Sequence, residues 1–98
     1  MTGLTDNVAE HRYEMRVHDA VAILEYRIDA DRLVLVHTEV PDALSGQGIG
    51  SAVVRAVLDD ARKRGLRVVP ECEFAAGFIG RHPEYADLIA GRPGGNAA

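Results

Sequence analysis

A chain of 98 residues has room for one small domain with a modest core, and not for a core plus a second lobe. Hydrophobic residues make up 47% and charged residues 27%, the balance of a folded globular protein and not of a disordered one. The net charge of −4 argues against a sequence-independent nucleic-acid binder, which needs a basic face, and suits a cationic small substrate.

In chain order, the first ten residues are polar and without period, which reads as a flexible N-terminus. "RYEMRVHD" alternates as a strand, with Tyr13, Met15 and Val17 on one side and Glu14 and Arg16 on the other. "AVAILEYRID" is a second strand, setting Val21, Ile23 and Glu25 against Ala22, Leu24 and Tyr26. "DADR" is a turn. "RLVLVHTEV" is a third strand, β-branched at Val34, Val36, Thr38 and Val40. Pro41 ends it, since proline donates no ladder bond. A helix is predicted from about Gly48 to Arg64, with Ile49, Val53, Ala56, Val57 and Ala61 as its buried stripe, cations in its last turn and Gly65 as its stop. "LRVVPECEF" reads as a fourth strand, parallel to the third because a helix separates the two. A short helix through "AAGFIGRH", limited by Pro83, and a last element in "PEYADLI" complete a single domain over residues 11–90. Residues 91–98 read as a flexible tail. The fold class is α+β, a mixed sheet of three antiparallel strands followed by a strand–helix–strand crossover and a short C-terminal helix.

The sole cysteine, Cys72, excludes an internal disulfide and suits a reducing compartment. No apolar run approaches a membrane span and "MTGLTDNVAEHR" has no signal-peptide stretch, so the expectation is a cytoplasmic protein with no membrane partner.

Gly46, Gly48 and Gly50 stand at alternate positions directly before the long helix, at a cost in backbone entropy. A nucleotide P-loop needs Lys then Ser or Thr after its last glycine, but Gly50 is followed by Ser51 and Ala52. A dinucleotide fingerprint starting at Gly46 would need glycine where Ser51 stands. Two readings remain: a glycine-eased entry into the helix, or a loop whose free N–H groups at the helix start hold a diphosphate.

"SGQGIGS" resembles the pyrophosphate loop of the GNAT-type, acyl-CoA-dependent N-acetyltransferases, and the "HTEVP" lead-in with the "C-x-F…HPEY" finish is similar to a compact group of small GNAT-like proteins. The resemblance implies a GNAT-like fold and acetyl-CoA as cofactor, with an unidentified small or protein amine as acceptor. It implies that Thr38 and Val40 meet the pantetheine arm through their backbone, and that Ser45, Gly46, Gln47, Gly48, Ile49, Gly50 and Ser51 hold the diphosphate. Two departures accompany it. Ser45 stands where the family has Arg or Gln, and "RVHDAVAI" leaves room for a turn where longer members have two helices shaping the acceptor pocket.

By the same resemblance the acyl thioester lies near His37, Glu39 and Cys72. A thiol at position 72 could take the acetyl group in a two-step exchange, or be a small buried strand residue. His37 and Glu39, two apart on one strand, face the same side and could act as base and orienter, or form a solvated face. Ile79 occupies the position where many members carry an acidic tyrosine, leaving Tyr85 or His82 as substitutes without a motif to place them. The histidines have no metal-ligand spacing, so no metal site is expected. The functional expectation is an N-acetyltransferase, monomeric or weakly dimeric, with a non-catalytic CoA or acyl-CoA-binding module as the alternative.

Overall fold

A computed structural model describes residues 3–90. Five strands lie in one sheet in the order of the sequence: β1 Gly3–Asn7, β2 Arg12–Val17, β3 Ala20–Asp29, β4 Arg32–Glu39 and β5 Arg67–Pro70. Strands β1 to β4 form antiparallel pairs, and β5 runs parallel to β4. The crossover between β4 and β5 is the helix α1, Ile49–Arg64, and a second helix, α2, spans Glu73–Arg81. Turns of 3₁₀ helix occupy Val8–Glu10, Asp42–Leu44 and Pro83–Leu88.

Alternation dictates the buried face. Tyr13 and Met15 on β2, Ala22, Leu24 and Tyr26 on β3, and Leu33 and Leu35 on β4 all face one layer of helix. From α1 that layer contributes Val53, Val54, Val57, Leu58 and Ala61, so Val54 and Leu58 are buried where the sequence predicts Ile49 and Ala56, which are only partly buried. Ala75, Phe78 and Ile79 of α2, with Tyr85 and Leu88, complete the core. Of the aromatic residues, Tyr13, Tyr26, Phe78 and Tyr85 are buried while Phe74 is 42% exposed. The opposite sheet face is charged: Arg12, Glu14, Arg16, Glu25 and Arg27 alternate with the core residues and none of them is buried.

The structure corrects the sequence reading at two ends. Residues 3–7, read as part of a loose terminus, form an edge strand along β2. Its anchor is Asp6, which accepts a hydrogen bond from the Tyr26 hydroxyl at 2.6 Å and one from Arg64 Nη1 at 3.4 Å. Arg64 also donates to Tyr13 Oη and Asp60, tying β1, β2, β3 and α1 together. The fourth predicted strand is shorter than "LRVVPECEF": β5 stops at Pro70, and Cys72 caps α2 from a non-helical position. Glu71 and Glu73 therefore do not alternate with Cys72 across a sheet. The tail predicted over residues 91–98 lies outside the described residues.

One irregularity decides which side chains β4 turns inward. Tyr26 pairs with Leu35 and Glu25 pairs with His37, so Val36 is an extra residue, a β-bulge. Side-chain parity reverses across it. Leu33 and Leu35 face the core before the bulge; Thr38, opposite the buried Leu24, faces it afterwards. Val40 follows on the same side and packs partly against the core.

Candidate active site in the cleft between β4 and α2

The cleft begins where β5 runs out of ladder bonds. Pro70, level with Leu35, has no N–H to offer. The next contact is the Cys72 N–H, which donates to the Leu35 carbonyl at 2.9 Å, and the chain then turns into α2. Strand β4 continues to Glu39, paired only with β3. The two parallel strands thus splay, and the edge of β4 beyond Leu35 faces a gap.

The glycine loop closes the top of that gap. Leu44, 3% exposed, is the buried residue at the start of the loop. Gly46 and Gly48 then take left-handed backbone angles, with φ +77° and +72°, which any Cβ would oppose. Gly48 caps α1, whose first bond runs from the Ala52 N–H to the Gly48 carbonyl at 3.0 Å. The N–H groups of Ile49, Gly50 and Ser51 precede that bond and have no helical acceptor. A groove of 270 Å³ opens over them. Backbone and small side chains of Ser45, Gly46, Gly48, Ile49, Gly50 and Ser51 form one wall; Val40, Leu44 and Phe74 form the apolar remainder. The groove has no Lys or Arg in its lining, so its attraction for an anion lies in aligned peptide dipoles. Amide donors beside Val40, Leu44 and Phe74 fit a diphosphate whose attached arm begins with apolar carbons.

Outside the lining of the groove, Thr38 Oγ1 lies 3.4 Å from Cys72 Sγ. Each stands two residues before a groove residue, Val40 and Phe74 respectively. Burial pushes the Cys72 thiol up, but the Thr38 hydroxyl and backbone groups of Ala75, Phe74 and Thr38 outweigh it and hold the thiol below its ordinary value.

His37 and Glu39 do come together, with Nε2 3.6 Å from Oε1, but on the other face. Their partners across the ladder are Glu25 and Ile23, and their side chains are 56% and 69% exposed. The bulge at Val36 thus separates them from Thr38 and Cys72, so the expected grouping of His37, Glu39 and Cys72 around one thioester does not form. Gln47 also leaves the groove: it donates to the Ala43 carbonyl at 3.4 Å and lines a neighbouring cavity of 430 Å³ between the loop and the His18–Asp19 turn. Ile79 is buried in the core. Tyr85 is held beside α1, donating to Asp59 at 2.8 Å and accepting from Arg55 at 3.2 Å. His82 lies against Phe78, their ring centroids 4.1 Å apart. None of these three lines the groove. Leu44 and Phe74 do line it; the sequence reading assigned neither to the site, and Phe74 stood there only as the last residue of "C-x-F". Among the described residues no cluster of side chains has a metal-binding arrangement.

The family model for GCN5-related N-acetyltransferases matches residues 12–88. The chain belongs to the GCN5-related N-acetyltransferase family. A GCN5-like protein from Staphylococcus aureus, solved in solution by NMR, superposes with a TM-score of 0.70 at 28% identity, covering 92% of this chain and 89% of that one. Among curated relatives, Protein NATD1 of Bos taurus is 39% identical over 67 residues, and that of Homo sapiens is 36% identical over 67 residues. In both cases the match covers 67% of this chain and 58% of the relative, so the chain spans less than two thirds of their length. The shared family accounts for the mixed sheet and the splayed strands. This GCN5-related chain reaches from β2 to β3 through the two-residue turn His18–Asp19.

Proposed function

We propose that the protein binds acetyl-CoA in the cleft between β4 and α2 and transfers the acetyl group to an amine. The observation that carries this reading is the row of N–H groups on Ile49, Gly50 and Ser51, open to an apolar groove at the splay. These donors, with the backbone of Ser45, Gly46 and Gly48, would hold the diphosphate, and Val40 and Phe74 would flank the arm. Acetyl-CoA supplies an activated acyl group.

In this reading Cys72, which lies behind the groove against Thr38, would take it. Its thiolate would attack the thioester carbonyl; the bond to the CoA sulfur breaks, and that sulfur leaves carrying the proton lost by Cys72. An incoming neutral amine then displaces Cys72 sulfur, which regains a proton as the new amide forms. Thr38, at hydrogen-bond distance, orients the sulfur and favours its ionised form. The exposed His37–Glu39 pair has no part in this route. The protein acts in the cytoplasm as a monomer or weak homodimer, and its acceptor is a small amine or an exposed protein amine.

A second reading has its own support: with Ile79 in the core and Tyr85 tied to Asp59, the groove has no side-chain acid for a direct transfer. The chain would then hold CoA or acyl-CoA without turnover. Titration with acetyl-CoA followed by amide NMR tests the shared cofactor site, with shifts expected at Val40, residues 45–51 and Cys72. Shifts scattered elsewhere would reject it. Release of free CoA with a panel of amines, lost in Cys72→Ala, supports the enzyme; binding without release supports the module.

A further inference from the structure

From the contact between the first turns of α1 and α2 we infer that Phe74 is the residue that positions the arm of an acyl-CoA in the groove, and that Gly50 is glycine to seat the Phe74 ring. The inference deepens the cofactor reading above and rests on it. Gly50 differs from Gly46 and Gly48, since its φ is not in the left-handed region. No backbone angle requires glycine there. What a Cβ there would meet is the outer edge of the exposed Phe74 ring. A Cβ on Gly50 would stand 2.8 Å from Cζ of Phe74 and 3.1 Å from its Cε2, while Gly46 and Gly48 have nothing within 4 Å. The second neighbour of that position is Val40, with Cγ2 at 3.5 Å.

Phe74 is an aromatic side chain left 42% exposed in a protein whose other tyrosines and phenylalanines are buried in the core. An exposed ring is disfavoured by its apolar area, and this one spends its exposure inside the groove. It leans on the α1 backbone beside the unpaired N–H groups, with Val40 facing it. A ligand gripped by those amides must run its next atoms between Val40 and Phe74. That geometry selects a ligand with a flexible arm whose first carbons after the diphosphate are apolar, and it gives nothing extra to a diphosphate alone. Phe74 is thus a positioning residue, and residues 50 and 74 form a coupled pair across two helix starts.

Isothermal titration with CoA and with ADP, run on the unmutated chain and on variants, tests this. ADP carries a diphosphate without the arm. CoA affinity should fall about tenfold in Phe74→Ala, the scale of losing part of an aromatic contact, and ADP affinity should stay within twofold. Gly50→Ala should weaken CoA about as much by displacing the ring, and Gly50→Ala combined with Phe74→Leu should recover most of that loss because the smaller side chain makes room. A cooperative urea transition, measured separately on each variant, certifies that it is folded. Equal losses for CoA and ADP, no loss in Phe74→Ala, or simple addition of the two substitutions in the double variant would each overturn the role of Phe74 while leaving the cofactor site standing. Absence of CoA binding by the unmutated chain would overturn the site and this inference together.

Discussion

Cys72 combines two opposing surroundings. It is 7% exposed, which disfavours a thiolate, yet it sits at the cap of α2 with the Thr38 hydroxyl at 3.4 Å, and the balance lowers its pKa. Its alkylation by iodoacetamide should therefore inflect below the ordinary thiol value of about 8.5, and Thr38→Val should move the inflection upward. The linkage has a definite sign. A depressed folded pKa stabilises the fold above the unfolded thiol's pKa, and that contribution disappears as pH falls through the folded value. The stability gap between the unmutated chain and Thr38→Val should be widest in alkali and narrow toward neutrality in denaturant melts. Tyr26 behaves oppositely. Burial, then its bond to Asp6, pushes its hydroxyl up to about 12. The fold prefers the neutral phenol, so this contribution is complete below pH of about 10 and is lost as pH rises through about 12. Asp6→Ala, which strips an acceptor from Tyr26 and Arg64, should cost about 1–2 kcal/mol in urea unfolding at neutral pH.

At the scale of elements, the glycine run answers to more than one demand. Gly48→Ala places a Cβ in a left-handed position and should cost about 1–2 kcal/mol of stability, read from the urea midpoint. The turn between β3 and β4 offers the reverse experiment. Ala30 holds φ +58° there, and Ala30→Gly should stabilise the protein by about 0.5–1 kcal/mol, relief of strain exceeding the added freedom of the unfolded chain. Strands β2 and β3 were legible in the sequence because period and burial agree along them: Tyr13 and Met15, then Ala22, Leu24 and Tyr26, mark their inner faces, while β4 and α1 were legible as elements but not in every buried position. Strand β1 was not legible, because "GLTDN" has no apolar alternation and is held instead through Asp6 by Tyr26 and Arg64, 20 and 58 residues away. The end of β5 was misjudged for a similar reason. Pro70 is compatible with the last residue of an edge strand, and only the hydrogen bond from Cys72 to Leu35 reveals that a helix cap follows.

Over the whole molecule, one helical layer against one sheet leaves a charged face and a single splay between β4 and β5. The loop that lines the splay could be read from its glycines, since "SGQGIGS" before a helix has few physical uses. The partners of that loop could not. Phe74 reaches it from another helix, and whether Thr38 or His37 meets Cys72 depends on how β4 registers against β3, which no local pattern records. That register hangs on Val36. It acts as a counting device: with it present, the hydroxyl and isopropyl groups of Thr38 and Val40 point indoors while an imidazole and a carboxylate stay in water. Shortening β4 by this one residue would exchange the two sets, driving an imidazole and a carboxyl group into the interior and taking Thr38 and Val40 out of it. Replacing Val36 with threonine should be harmless, while deleting it should abolish both folding and ligand capture, so the position tolerates a change of identity and forbids a change of length.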